Sequence, residues 1–230
     1  MLLFAIGIVF MLISVIVGWR LKSKFNEYAQ IPLRSGLSGK DIAEKMLRDN
    51  GIYDVQVTCV QGQLTDHYNP VNKTVNLSPD VYGGRSIAAA AVAAHEVGHA
   101  VQHATAYQWL NFRSVLVPIT NVSAQIMNFV FIGSFLLGGF FHLISWDAIL
   151  MIIVVAQGFI TLFSLVTLPV EFDATRRGLA WLNSTNLTVG EEHEKATHAL
   201  RLAATTYVVQ ALYALTTLLY FLLRLLGNRD

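Results

Sequence analysis

Apolar residues in this chain gather into long runs set between two polar segments, and run length predicts the elements. Residues 2–19 form an apolar stretch of about membrane-spanning length. Residues 115–141 and 148–170 are two more, joined by a short connector at 142–147, and read together as a transmembrane hairpin. Residues 207–226 are compatible with a fourth span. A further apolar run, 87–106, has helical length but carries His95, Glu96, His99 and His103.

The first polar segment alternates on a finer scale. Ser38 followed by Asp41 suits a helix start, and Ile42, Met46 and Leu47 recur at helical spacing until Gly51. Val55, Val57 and Cys59 alternate with polar neighbours as a strand would. Strands are also predicted at 64–68 and 74–77, joined by the turn Asn69-Pro70-Val71-Asn72. Such strands can hold an extended peptide by edge pairing, although scaffolding is the simpler role. Gly83-Gly84 then break the chain before Ser86, which is placed to cap the helix of 87–106.

Composition points the same way. The chain of 230 residues is 54% hydrophobic and 13% charged, about half the charge of a soluble domain. Its net charge of +1 gives no case for nucleic acid, and no basic patch interleaved with aromatics stands out. Cys59 is the single cysteine, which excludes an internal disulfide and a cysteine-based zinc site. Arg20, Lys22 and Lys24 follow the first run, while no basic residue precedes it and no A-x-A site follows. A retained anchor with an external N-terminus is expected, with 20–114 and 171–204 facing the cytoplasm of an integral, multi-pass cell-membrane protein. The connector has no Lys or Arg and is expected outside; Arg224 and Arg229 would fall outside against the charge rule. Polar Asn121, Ser123, Gln125 and Asn128 in the first hairpin arm are expected to face other helices, not lipid.

The predicted architecture is mainly α: about four transmembrane helices with a small α+β, zincin-like cytoplasmic domain. In order, it comprises an anchor (1–19), an α+β segment with the metal-binding helix (20–114), the hairpin (115–170), a helical segment (171–204) and a last span (205–230).

His95-Glu96-Val97-Gly98-His99 reads H-E-x-x-H within a helical context. Histidines four apart on a helix differ by roughly 40° in direction and about 6 Å in height, so both imidazoles can meet one ion. Catalytic zinc commonly takes three protein ligands and a water, and Glu96 would stand beside that water as general base. For the third ligand, His103 lies about 12 Å along the axis from His95 on an unbroken helix, too far to share the ion. Glu171, following Pro169 where the hairpin returns to the cytoplasm, is better placed to complete a His/His/Glu set. Its plain alternative is an interfacial acid at a helix start. Glu191, Glu192, Glu194, His193 and His198 suit a solvated helix face; His198 or His67 could also steady a tetrahedral intermediate.

HEVGHAVQHA, then a membrane hairpin, then LPVEFDATRRGLAWL, resembles the bacterial membrane zinc-peptidases of the YugP type. The likeness extends to the N-terminal anchor, DHYNPVNKTVNLS and AATTYVVQA, nearly the whole chain. More distantly the chain is similar to the HtpX and Ste24 membrane gluzincins. The resemblance implies zinc held by His95, His99 and Glu171, with Glu96 as base. The distant relatives' E-x-x-x-D pattern would require Asp where Thr175 stands, and Asp173, two residues after Glu171, is expected to project away from its face.

The function expected is a membrane zinc endopeptidase acting on peptide or protein substrates, membrane-proximal ones among them. A zinc-binding adaptor or chaperone-like protein without turnover is the alternative; it would need the histidines but not Glu96. A transporter would require ionisable groups within the spans, where Gln157 is the nearest polar residue. A homodimer is the base-rate expectation.

Overall fold

The computed structural model describes residues 1–136 and 145–227. The predicted end of the first hairpin arm (137–141), part of the connector (142–144) and Arg229 lie outside the described residues. The elements run α1 (Leu2–Ala29), α2 (Gly39–Asp49), β1 (Gln56–Cys59), β2 (His67–Asn69), β3 (Thr74–Leu77), α3 (Pro79–Tyr82), α4 (Ile87–Ala104), α5 (Gln108–Leu136), α6 (Trp146–Ser184) and α7 (Glu191–Gly227). Among the described residues, α1, α5, α6 and α7 are long and apolar enough to cross a membrane.

The changes from apolar to polar sequence fall inside these helices. α1 continues past Trp19 to Ala29, and α6 runs through Pro169 without a break. Proline there removes one backbone donor and favours a kink or an end. The helix nevertheless continues, because its next two turns pack backbone to backbone on α4, as described below.

The chain divides into two compact units, one made of Met1–Ser14, Asn111–Leu168 and Tyr207–Asp230, the other of Val15–Leu110 and Pro169–Thr206. In the first, Met127 and Val130 of α5, Ile149, Leu150 and Ile153 of α6, and Phe221 and Leu225 of α7 form the core. Gln157 is buried there, donating to the carbonyl of Ala214 at 3.1 Å, and the Thr161 hydroxyl bonds the same oxygen. That bond acts as helix-to-helix glue. Of the four polar residues expected to face other helices, only Ser123 is buried; Asn121, Gln125 and Asn128 are exposed.

The second unit is built from local signals that act as predicted. Ser38 accepts from the backbone of Asp41 while Asp41 accepts from that of Ser38, a capping box opening α2. The sheet has the order β1-β3-β2, with β3 parallel to β1 and antiparallel to β2. β2 starts at His67, not 64, because Leu64 takes a left-handed φ of 57° that ends any extended run. The Asn69 side chain accepts from the backbones of Val71 and Asn72, closing the turn between β2 and β3. Ile42, Met46, Val75 and Leu77 pack with the alanines of α4 into one core.

α4 is the axis of this unit. Ser86 caps it, accepting from Ala89, and twelve of its residues besides Glu96 are buried. It stops at Ala104, two residues before the end of the apolar run. Ala106 adopts φ 51°, with Tyr107 donating to the carbonyl of Gln102 and Ala106 to that of His103. This is a left-handed helix cap without its usual glycine.

Candidate metal centre

α4 and α6 touch through small residues spaced four apart on both. A Cβ at Gly98 would sit 2.5 Å from the carbonyl oxygen of Ala174; one at Gly178 would sit 2.8 Å from that of Ala94. No side chain fits between the backbones there. This approach brings Glu171 and Thr175 of α6 beside His95 and His99 of α4.

The result is a three-ligand cluster. Nε2 of His95 lies 3.4 Å from Oε2 of Glu171, and Nε2 of His99 lies 3.5 Å from the same oxygen. One donor atom from each of the three side chains falls within 4.8 Å of the others. Ligands about 2.1 Å from a tetrahedral ion are separated by about 3.4 Å, so both nitrogen–oxygen distances suit zinc. The donor set, two imidazoles and a carboxylate, is one that zinc takes with a fourth position left open. Glu171 is 3% exposed and Glu96 8% exposed, so this chemistry is shielded from bulk water.

Charge is arranged for a cation. Burial alone would push the Glu171 carboxyl up, but the His95 and His99 imidazoles outweigh it and hold the group well below the usual carboxylate range. Burial alone would lower the His99 pKa, yet the Glu171 and Glu96 carboxylates raise it. Both shifts express the same attraction of the site for positive charge.

The rear nitrogens are fixed by neighbours. Gln102, 0% exposed, donates from its amide nitrogen to the Val170 carbonyl at 2.8 Å and to Asp173 Oδ2 at 2.9 Å. Both partners are acceptors only, so the amide oxygen must point the other way, where His99 Nδ1 lies at 3.0 Å. His99 therefore carries its proton on Nδ1 and presents a lone pair at Nε2, the orientation that metal-ligating histidines take. Thr175 Oγ1 lies 3.1 Å from His95 Nδ1 and can accept the corresponding proton.

Asp173, expected to project away from the Glu171 face, nevertheless reaches α4 through Gln102 and is held by Arg177 at 2.5 Å and by Arg176. The Arg177 guanidinium also stacks over the Tyr107 ring, 5.6 Å from its centre. Gln102 escaped the sequence reading. Its signal was a polar residue three positions after His99 on a helix rich in alanine and valine.

The other histidines among the described residues have different partners. His103 Nδ1 bonds the Tyr68 hydroxyl at 2.8 Å and does not belong to the cluster. His198 Nδ1 bonds Tyr28 at 2.8 Å, His193 bonds Thr188, and His67 bonds the Thr65 carbonyl and Asn76. Glu191 pairs with Lys195, and Glu192 accepts from the backbone of Arg34.

A histidine pair on one buried helix meets a glutamate on a second, in a chain whose described residues include four helices long and apolar enough to cross a membrane, and together they mark a candidate zinc centre. The chain belongs to the family described as "Putative neutral zinc metallopeptidase", whose model matches residues 3–226. It is 40% identical over 212 residues to the "Putative membrane protease YugP" of Bacillus subtilis (strain 168), spanning 92% of this chain and 91% of that protein. No solved structure matches it.

Proposed function

We propose that this protein is an integral membrane zinc endopeptidase. The observation that carries the reading is the meeting of His95 Nε2, His99 Nε2 and a Glu171 carboxylate oxygen at zinc-ligand spacing. Zinc held there would supply a Lewis acid that polarises a carbonyl and acidifies water. His95, His99 and Glu171 hold the ion; Thr175 and Gln102 orient the two imidazoles. Glu96, adjacent to His95 and not a ligand, takes the proton of the attacking water and returns it to the leaving amine. A protein that only bound zinc would have no use for this carboxylate.

The same reading places α1, α5, α6 and α7 across the cell membrane, with the N-terminus outside and the zincin-like unit cytoplasmic. Arg20, Lys22 and Lys24 after the first apolar run support that orientation. Glu171 directly follows the apolar run of 148–170 on a continuous helix. The site then lies at the level of the bilayer boundary and serves membrane-proximal or unfolded polypeptide segments.

The test is Glu96→Gln in purified full-length protein. It should keep its zinc while hydrolysis of an unfolded polypeptide falls by about 10²–10⁴-fold. Hydrolysis at the parent rate would refute the proposed chemistry.

A further inference from the structure

α5 presents two opposite faces. Leu116, Ser123, Met127 and Val130 are buried, and at about 100° per residue they fall within roughly 60° of one another, forming one seam. Asn121, Gln125 and Asn128 are exposed. On the same count they centre roughly 155° from that seam, on the far side of the helix. Among the described residues, no hydrogen-bond partner is found for any of the three amides. Around them stand Val117, Val122, Ile126, Phe129 and Ile132, also exposed.

On the reading of α5 as a membrane span, this arrangement cannot face lipid at no cost. A carboxamide has two donors and an oxygen acceptor, and hydrocarbon satisfies neither. Polar side chains within spans find partners on neighbouring helices. Among the described residues, no other helix covers these three.

We propose that Asn121, Gln125 and Asn128 form the contact face of a homodimer, α5 against α5 of a second copy. Two features select a copy of the same helix. First, the spacing of four then three is the apolar-seam spacing of a left-handed helix pair, and Ile132 continues it. Second, carboxamides are self-complementary, each donating to and accepting from another like itself. Chains inserted with one topology pair about an axis along the membrane normal. Each residue on the seam then meets its own counterpart at the same depth, so asparagine meets asparagine and glutamine meets glutamine. A partner of another sequence would need matching amides at three matching depths. A second copy has them by construction.

Cross-linking tests this without reference to activity. With Cys59 replaced by Ser, single cysteines are placed at each position from Thr120 to Phe129 in full-length protein. The protein is reconstituted in vesicles of phosphatidylethanolamine and phosphatidylglycerol and oxidised. Disulfide-linked dimer should peak at positions 121, 125 and 128 and be lowest at 123 and 127. A separate triple variant, Asn121→Leu/Gln125→Leu/Asn128→Leu, should raise the dimer dissociation constant by on the order of tenfold or more. It should retain its zinc, since leucine suits a lipid-facing position and the buried face of Leu116, Ser123, Met127 and Val130 is untouched. Cross-linking without that periodicity, a peak on another face, or a parent protein that is monomeric in vesicles would overturn the proposal. So would a triple variant that dimerises as tightly as the parent. Failure here would leave the Glu96→Gln test of the peptidase reading unaffected.

Discussion

The carboxamide oxygen of Gln102 lies 3.0 Å from Nδ1 of His99, and its amide nitrogen is held by the Val170 carbonyl and Asp173. The tautomer of a proposed zinc ligand is thus set by a residue on the same helix that is anchored to a second helix. Loss of such a partner typically costs 10–100-fold in metal affinity. Gln102→Leu should weaken zinc binding by that order in a chelator competition. Unchanged affinity would show that packing alone orients His99.

The ligand set predicts a contrast between Glu171 and His103. Glu171→Ala removes a donor atom and should lose zinc together with activity, as should His95→Ala and His99→Ala. His103→Ala should keep the metal, since His103 is bonded to Tyr68 outside the cluster. Metal content of the purified variants is the measurement. Zinc retained by Glu171→Ala and lost from His103→Ala would reverse the assignment.

The close passage of α4 and α6 predicts a large effect from a single methyl group. Gly98→Ala gains about 1 kcal/mol of helix propensity but puts a Cβ 2.5 Å from the Ala174 carbonyl, a backbone atom that cannot swing aside. Overpacking of this kind costs about 1–3 kcal/mol, so the net effect should be destabilising, with loss of zinc as Glu171 is pushed away. Gly158→Ala on α6 meets nothing within 4 Å and should be neutral or mildly stabilising. Thermal unfolding and zinc content of the two variants, side by side, decide the matter.

The topology can be read by thiol labelling of intact cells. With Cys59 replaced, a cysteine at Ser184 should resist a membrane-impermeant reagent and one at Ser145 should react. Both positions are exposed in the chain, so protection would report the membrane. The reverse pattern would place the candidate metal centre outside the cell.

Much of the site was legible because its signals are local. The spacing of His95 and His99 is a property of one helix, as are the Ser86 cap and the Ser38–Asp41 capping box. β3 was readable for the same reason, since the Asn69 turn that introduces it lies within ten residues. One boundary that went astray needed contacts from elsewhere. Pro169 and a change of polarity predict a stop, but α6 continues because its next turns are clamped to α4 at Gly98 and Gly178.

By itself, the sequence determined the two histidines on one helix face, the carboxylate beside them, and four runs long enough to span a membrane. Helical period and chain length are enough for each of these. Only the tertiary structure decided what lies behind the ligands. A helical wheel places Asp173 about 200° from Glu171, yet Asp173 is linked to the ligand His99 through Gln102, which bonds both. The same limit applies to Asn121, Gln125 and Asn128. A polar residue in a span announces a need for a partner, but which face of α5 is covered depends on where the other helices pack. That is a relation between elements distant in the chain, and no local period encodes it.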